Sequence, residues 1–170
     1  TSSTLAFKFG PLLNAAGRLK DADLAVRFLL SNDRQEAEKM AQILDATNAE
    51  RREKESEMIQ TALKLADEQK NNPALILVSP EFHEGVNGIV ATRLVERFYK
   101  PVLILSESEG GLKGSGRSIP ELNIKEVLSD CSDLLERFGG HAAAAGCSLV
   151  TKHLEAFRNR FFKLCGERIP

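Results

Sequence analysis

Two continuous apolar segments separated by a helical pattern constrain most strongly how this chain can fold. Residues 74–79 read ALILVS and residues 102–105 read VLIL, which is typical of strands buried on both faces. Between them, residues 86–99 show a helical pattern. A strand, a helix and a strand in this order predict adjacent parallel strands joined by a right-handed crossover. The helix residues expected to point inward are Ile89, Val90, Leu94 and Phe98.

The rest of this half predicts further elements around the same sheet. Gly110 and Gly111 indicate a turn, after which a more polar strand returns over residues 112–119. The elements expected next are helices over 124–129 and 132–138, a stop at Gly139-Gly140, a strand near 146–150, and a helix beginning at Thr151 that buries Leu154, Phe157, Phe161 and Leu164. The predicted fold class is α/β, with a mixed sheet and flanking helices.

A long helical segment without glycine or proline precedes the sheet. Asp33 followed by Glu36 resembles a capping box, and the helical pattern continues to about Lys70. Its two ends carry apolar residues, whereas residues 45–57 are almost wholly polar. A helix of this length spans roughly 50 Å, and a polar middle is typical of a connection between two bodies. Two separate helices with a frayed middle are the alternative.

The segment before this helix is predicted to be mostly loop. Residues 1–20 contain Phe-Gly-Pro and Asn-Ala-Ala-Gly-Arg, which favour loops and turns. Asp21 is expected to cap a short helix whose apolar face is Leu24, Ala25, Phe28 and Leu29. The chain opens with Thr1 rather than Met, so we expect it to be a piece of a longer protein.

The charge balance limits the ways in which this chain can bind a polyanion. Charged residues make up 28% of the chain, but the formal net charge is −1. A protein that attracts nucleic acid with its whole surface is strongly basic, so any nucleic-acid site must be a local groove. No apolar run approaches the roughly 20 residues of a membrane span, so no membrane partner is expected.

The three cysteines are predicted to be structural. Cys131, Cys147 and Cys165 form no CxxC pair and are odd in number. This pattern argues against a disulfide framework or a zinc site and favours a reducing, cytoplasmic location. We expect each cysteine to be a small buried apolar residue.

The first candidate site is residues 113–118, KGSGRS. Two glycines inside a strand usually mark a bulge or a close approach by another molecule. Lys113 and Arg117 supply positive charge, while Ser115 and Ser118 supply hydroxyl groups, so the segment can bind phosphate. A twisted edge strand with solvated charges explains the pattern equally well, and the segment lacks the ending of a nucleotide P-loop.

The second candidate site is residues 139–146, GGHAAAAG. Two glycines after a helix can simply be a helix C-cap. His141 is followed by small residues only, and a helix beginning after it would direct its N–H groups at an anion. The roles left open for His141 are an acid, a metal ligand, a neutral hydrogen-bonding group, or a surface on which a base stacks.

Two weaker candidates lie elsewhere in the chain. Residues 82–88, FHEGVNG, contain His83 and come between a strand and a helix, where ligands bind in α/β sheets. A capped loop is the simpler interpretation, because a single His-Glu pair makes a poor metal site. Residues 14–18, NAAGR, offer one cation, Arg18, on a predicted turn.

Five motifs occur in the chain in order: GPLLNAAGRL at 10–19, LDATNAERREKE at 44–55, FHEGVNGIVATRL at 82–94, KGSGRSI at 113–119 and FGGHAAAAG at 138–146. In combination they closely resemble the RecJ family of single-strand-specific 5′→3′ exonucleases, within the DHH phosphoesterase superfamily. The resemblance runs from Gly10 to about Val150. One departure is Phe82, where the family often has Trp.

The resemblance implies three parts of the chain. Residues 1–32 would be the tail of a catalytic DHH domain, residues 33–72 the connecting helix, and residues 73–170 a substrate-binding DHHA1 domain. The family's DHH domain supplies Asp and His ligands for two Mn²⁺ or Mg²⁺ ions. This chain has three histidines and no Asp-His-His sequence, so we expect it to bind no metal or other cofactor and to need its own DHH domain as partner.

The resemblance also implies roles for individual residues. Arg117, with Ser115 and Ser118, is expected to hold a phosphate of single-stranded DNA, and Arg18 is expected to contact phosphate from the other wall. No residue here is expected to be catalytic, apart from His141 as a candidate contributor. The residues expected to bind nucleic acid are Arg18, His83, Lys113, Ser115, Gly116, Arg117, Ser118, Gly139, Gly140 and His141.

The implied function is the single-stranded-DNA-binding half of an exonuclease of DNA repair and recombination, inactive without its metal-binding half. One alternative is a relative that cleaves short oligonucleotides or cyclic dinucleotides. Another is a stand-alone module that binds nucleic acid or protein. The NAAGRL motif and the long helix favour the first hypothesis.

Overall fold

The structure is a computed structural model that describes Ser3 and residues 5–170, except for the side chains of Leu5 and Ala6. The chain divides into two compact units, Thr1–Ser56 and Glu57–Pro170. None of the helices in the described part combines the length and the apolar content that a bilayer span requires.

The first unit is helical from near its start. Its elements are a π-helical turn at Leu5–Phe9, helix α1 at Gly10–Leu19, helix α2 at Asp23–Leu30 and the first part of helix α3, Arg34–Glu68. The prediction of loop over residues 1–20 is therefore wrong at every position that the structure describes as helix. Proline is tolerated in the first turn of a helix, and the Leu, Ala and Arg residues that follow it are strong helix formers.

Helix α3 is a single helix of 35 residues, so the alternative of two separate helices is excluded. Asp33 caps it as predicted, because its Oδ1 accepts a hydrogen bond from the N–H of Glu36 at 3.0 Å. Asp21 is not the cap of α2, because the N-cap residue is Ala22. It lies one residue earlier and accepts a hydrogen bond from the N–H of Asp23 at 2.9 Å.

The second unit is built on one sheet with helices on it. Its elements are β1 (Leu75–Val78), α4 (Glu84–Phe98), β2 (Val102–Ser108), β3 (Gly111–Arg117), α5 (Ile124–Ser129), β4 (Arg137–His141), β5 (Ala144–Leu149) and α6 (Leu154–Arg168). The five strands follow the order β1-β2-β3-β5-β4. Strands β1 and β2 are parallel, and the other neighbours are antiparallel. The predicted mixed α/β sheet is confirmed.

Helix α4 forms the predicted connection between the parallel strands. It packs against β2 and β3. The expected inward residues Ile89 and Phe98 are only half-buried, because the sheet-facing side of the helix includes the smaller residues Gly88 and Ala91 instead. The right-handed sense of the crossover stays a prediction.

The helix predicted over residues 132–138 is wrong. Only Ser132–Leu134 forms a helical turn, and Arg137–His141 is a strand paired with β5. The glycines at 139–140 therefore lie inside a strand rather than at a helix end. No helix begins after that strand either, because residues 142–143 form the turn of a hairpin. Pairing with β5 across this two-residue turn decides the conformation of the segment, and β5 in turn pairs with the distant strand β3.

The core of the second unit lies on the face of the sheet where α5 and α6 pack. Buried residues of β1, β2, β3 and β5 meet the apolar sides of these helices there. Phe157 and Phe161 of α6 are fully buried in it, and their ring centroids lie 5.6 Å apart.

The cysteines belong to this core, as expected. Cys131, Cys147 and Cys165 are all buried and carry free thiols. Burial raises the pKa of the Cys131 thiol to about 11 and the pKa values of the other two to about 12. The three thiols therefore stay protonated and unreactive at neutral pH.

Two glycines of β3 face this core rather than the solvent. A Cβ atom at Gly116 would lie 2.6 Å from Cδ1 of Ile124, and one at Gly114 would lie 2.6 Å from the carbonyl oxygen of Ile104. The pairing of β3 runs through both glycines without a bulge, between β2 and β5. The interpretations of this segment as a bulge or as an edge strand are therefore wrong, because its glycines make room for the core.

We expect Gly114→Ala to lower the free energy of unfolding by about 1–3 kcal/mol, because the added methyl group overlaps a backbone carbonyl. Gly139→Ala is the matched control, since nothing lies within 4 Å of a Cβ added there. It should change the unfolding free energy by less than about 0.5 kcal/mol. Urea denaturation followed by circular dichroism measures both variants, and equal stabilities would contradict the core-facing role of Gly114.

Candidate functional site

The other face of the sheet is only partly covered. Helix α4 packs on β2 and β3, whereas β5 and β4 have half-buried or exposed residues on this face. Burial alternates along β3. Gly114 and Gly116 are buried in the core, whereas Lys113, Ser115 and Arg117 lie on the other face. We call the uncovered area the open face; its residues are Lys113, Ser115, Arg117, Ala144, Gly146, Ser148, Arg137, Gly139 and His141.

The strand register arranges the open face in three rows. Neighbouring strands lie about 4.8 Å apart, so the Cα atoms of Arg117 and His141 lie about 10 Å apart, on either side of Ala144. The two glycine-rich segments, distant in sequence, thus meet on one surface. The rows are Arg117–Ala144–His141, Ser115–Gly146–Gly139 and Lys113–Ser148–Arg137.

Charged side chains stand at the corners of the open face and small ones in its middle. Three corners are the cations Lys113, Arg117 and Arg137, and the fourth is His141. The positions between them are occupied by Ala, Gly and Ser only. Because no large side chain rises from the middle, an anionic group can approach the backbone of the sheet closely while the corner side chains reach it.

The position of Arg117 depends on a glycine of α4. Its Nη1 donates a hydrogen bond to the carbonyl oxygen of Gly116 at 2.8 Å. A Cβ atom at Gly88 would lie 2.7 Å from Nη2 and 3.3 Å from Cζ of Arg117. The guanidinium therefore lies against the helix backbone at Gly88, which is buried, and any larger residue there would displace it.

Lys113 has an acidic neighbour on helix α4. Its Nζ lies 2.7 Å from Oε2 of Glu84, in the first turn of α4. Both side chains are more than half exposed, at 57% and 60%, so this ion pair contributes little to stability. Lys113 can therefore exchange Glu84 for another anion at small cost.

Other residues of the two glycine-rich segments support the strands. Ser118 donates a hydrogen bond from its hydroxyl to the carbonyl oxygen of Leu122 at 2.8 Å, and from its N–H to that of Ala143 at 3.0 Å. Gly140 has φ +137°, and a Cβ there would lie 2.5 Å from Cα of Ala145. Both residues therefore hold the backbone in place, whereas Gly139 faces open space.

Backbone amides of β3 are not available to a phosphate on the open face. Because β3 pairs on both sides, its N–H groups are directed at β2 and β5. The open face therefore presents side chains as hydrogen-bond donors, chiefly Arg117, Lys113 and the hydroxyl of Ser115.

Neither of the two weaker candidates, His83 and Arg18, belongs to the three rows. His83 is the N-cap of α4, and its Nδ1 accepts a hydrogen bond from the N–H of Gly85 at 3.1 Å. This geometry fits the capped-loop interpretation and requires the ring proton on Nε2 when the ring is neutral. Arg18 lies exposed in the last turn of α1, in the first unit, and its phosphate contact stays a prediction.

Sequence reasoning missed Arg137 and Ser148 on the open face. Arg137 was overlooked because residues 132–138 were interpreted as a helix, and Ser148 was overlooked although it lies in the strand predicted near residues 146–150. The signal was present in the period-two spacing of Arg137, Gly139 and His141, which puts all three on one face of a strand.

No group of three or more His, Cys, Asp or Glu side chains in the described part of the chain is placed to hold a metal ion. The residues of this structure thus do not fit the Mn²⁺ or Mg²⁺ site that the resemblance implies for the catalytic domain. The chemistry available on the open face is the binding of anions.

A DHHA1 domain model matches residues 71–167, which contain the whole sheet and the open face. The chain belongs to the DHHA1 domain family. It is similar to the single-stranded-DNA-specific exonuclease RecJ of Dickeya dadantii, with 43% identity over 176 residues that cover 98% of this chain and 31% of that protein.

Two solved structures of RecJ proteins share the fold of this chain. A crystal structure of exonuclease RecJ bound to manganese has a TM-score of 0.89 and 36% identity, covering 100% of this chain and 42% of that one. RecJ from Thermus thermophilus in complex with Mg²⁺ gives the same score and identity, covering 98% of this chain and 26% of that one. The chain therefore spans less than half the length of these relatives.

We expect Gly88→Ala to move the Arg117 guanidinium off α4 without unfolding the domain, because the new methyl group occupies its place. Gly166→Ala is the control, since it also adds a methyl group to a helical glycine but meets only ordinary contacts at 3.7 Å and beyond. Crystal structures of both variants show where the guanidinium lies. An unmoved Arg117 in Gly88→Ala would contradict the role of Gly88.

Proposed function

We propose that this chain is the phosphate-binding half of a single-strand-specific 5′→3′ exonuclease of the RecJ type. The observation that carries the proposal is the row Arg117–Ala144–His141, which joins the two glycine-rich motifs across three strands. In this proposal Arg117 and Ser115 hold a phosphate group of the DNA strand, and His141 and Gly139 face it from the opposite side.

The shape of the open face supports a backbone ligand rather than a base in a deep pocket. Its middle positions carry no side chain larger than that of Ser148, so a sugar-phosphate chain can lie flat on the sheet. Arg117 suits the phosphate, because a guanidinium can donate two parallel hydrogen bonds to it and an ammonium cannot. A few donors focused on one face also allow a chain of net charge −1 to bind a polyanion.

The remaining members of the predicted nucleic-acid site have supporting roles in this proposal. Gly116 admits Ile124 to the core beneath Arg117, and Gly140 allows β4 to approach β5 closely. Ser118 fixes the chain where β3 leaves the sheet. His83 begins the helix on which Arg117 rests. Each acts on the ligand through the position of another group.

Hydrolysis is assigned in this proposal to a DHH domain that carries the metal ions. The chain covers only 31% of the Dickeya dadantii relative, which leaves room for such a domain in the whole protein. Several large apolar side chains of the first unit are exposed, including Phe7 at 79% and Leu30 at 73%. These side chains are available to a covering domain, and apolar residues that form a contiguous exposed patch usually mark an interaction surface.

We expect Arg117→Ala to weaken the binding of single-stranded oligothymidylate by about tenfold, because one charge-assisted pair of hydrogen bonds is lost. Fluorescence anisotropy with labelled oligonucleotide measures the affinity at fixed salt. Lys163→Ala is the control, since it removes one positive charge from α6, on the opposite side of the sheet. Equal affinities of Arg117→Ala and the wild-type chain would overturn the role of Arg117.

We also expect the chain alone to release no nucleotides from single-stranded DNA in the presence of Mn²⁺, because its described residues form no metal site. Chromatography of acid-soluble products after long incubation measures this. Metal-dependent release by the wild-type chain that disappears in Arg117→Ala would show that the activity is its own, and would contradict the assignment of hydrolysis to another domain.

A further inference from the structure

A cavity on the open face lies at the end away from Arg117. It has a volume of about 660 Å³ and is lined by Lys113, Ser115, Ser148, Arg137 and Gly139, but not by Arg117 or His141. A volume of this size suits a ligand such as a nucleotide. The cavity is therefore a place for a chemical group other than the phosphate assigned to Arg117.

Its polar groups are those that recognise a phosphate. Lys113 and Arg137 occupy the two outer strands of their row, with Ser148 between them. Their Cα atoms lie about 10 Å apart, so both long side chains can reach one group placed above the Ser148 hydroxyl. Two cations and a hydroxyl within reach of one point are the usual surroundings of a phosphate group.

This position is separate from the one at Arg117. Four residues of an antiparallel strand span about 14 Å, which is the distance between the Cα atoms of Lys113 and Arg117. The two side chains are also held apart on α4, because Lys113 pairs with Glu84 and Arg117 rests on Gly88, one helical turn further along. One phosphate cannot occupy both positions, whereas two phosphates of one strand can.

We propose that Lys113, Ser148 and Arg137 form a second phosphate subsite, which binds another nucleotide of the strand held at Arg117. The inference rests on the proposed function, since it assumes that a nucleic-acid strand lies on the open face. It gives roles to Arg137 and Ser148, which lie outside the two glycine-rich motifs, and makes the open face a track for several phosphates of one strand rather than a pocket for one.

Carboxylates around the cavity make the subsite selective for a strand over a free ion. Glu109 and Glu136 also line the cavity, and Glu84 forms an ion pair with the Lys113 ammonium. A free phosphate ion must displace Glu84 from Lys113 and is repelled by the carboxylates of Glu109 and Glu136. A strand already bound at Arg117 presents its second phosphate at high effective concentration, which offsets this repulsion.

The test is the salt dependence of hexathymidylate binding, measured by fluorescence anisotropy for the wild-type chain, Arg117→Ala, Arg137→Ala, the double variant and the control Lys163→Ala. Each phosphate contact adds about 0.7 to the slope of log affinity against log salt concentration for a single strand. We expect each single variant to reduce the slope by about 0.7 and the double variant by about 1.4. Lys163→Ala should leave it unchanged.

A second variant tests the same subsite in the opposite direction. Glu84→Gln should raise the affinity about twofold to fivefold, because it releases Lys113, and the gain should disappear when Lys113 is also replaced by alanine.

The possible failures are distinguishable. A double variant with the same slope as Arg117→Ala would mean a single bound phosphate and would overturn the second subsite while leaving the proposed function intact. Equal slope changes in Arg137→Ala and Lys163→Ala would overturn it as well, since only general charge would be acting. Absence of any oligonucleotide binding by the wild-type chain would overturn the proposed function itself.

Discussion

Strand β3 contributes side chains to the open face and glycines to the core, and the second unit depends on this alternation. On one side Gly114 and Gly116 leave space for the side chains of Leu105, Leu103 and Ile124, so that the core can close over the strand. On the other side Lys113, Ser115 and Arg117 point to the open face. Because side chains alternate along a strand, a shift of register by one residue would bury the cations and expose the glycines.

Helix α4 is the second component of the site, although it contributes no residue to the three rows. Gly88 lets the Arg117 guanidinium lie against the helix, and Glu84 pairs with Lys113. The Arg117 guanidinium is thus held in place before any ligand arrives, which reduces the conformational entropy that binding would cost it, whereas Lys113 has to leave Glu84 to bind another anion. The same helix leaves β5 and β4 uncovered, so the small residues of these strands stay accessible.

Much of the fold could be predicted from local patterns. The apolar segments of β1 and β2 and the helical pattern between them gave the parallel pair, and Asp33 marked the start of α3. The prediction failed at residues 132–138, where the period-two spacing of Arg137, Gly139 and His141 is a local sign of a strand that was overlooked. The loop predicted before Leu19 failed because its glycines and proline were given more weight than the strong helix formers Leu, Ala and Arg around them.

The sequence by itself determined the chemistry of the candidate site, because residue types such as Arg117, Ser115 and His141 and the glycines around them are readable without coordinates. It also determined the family, since the order of the motifs carries that information. Only the tertiary structure decided which of these residues share a surface. The pairing of β3, β5 and β4 joins segments that lie more than twenty residues apart in the chain, and that pairing depends on long-range hydrogen bonds and packing rather than on local propensity. It turned two separate motifs into one open face and added Arg137 and Ser148 to it.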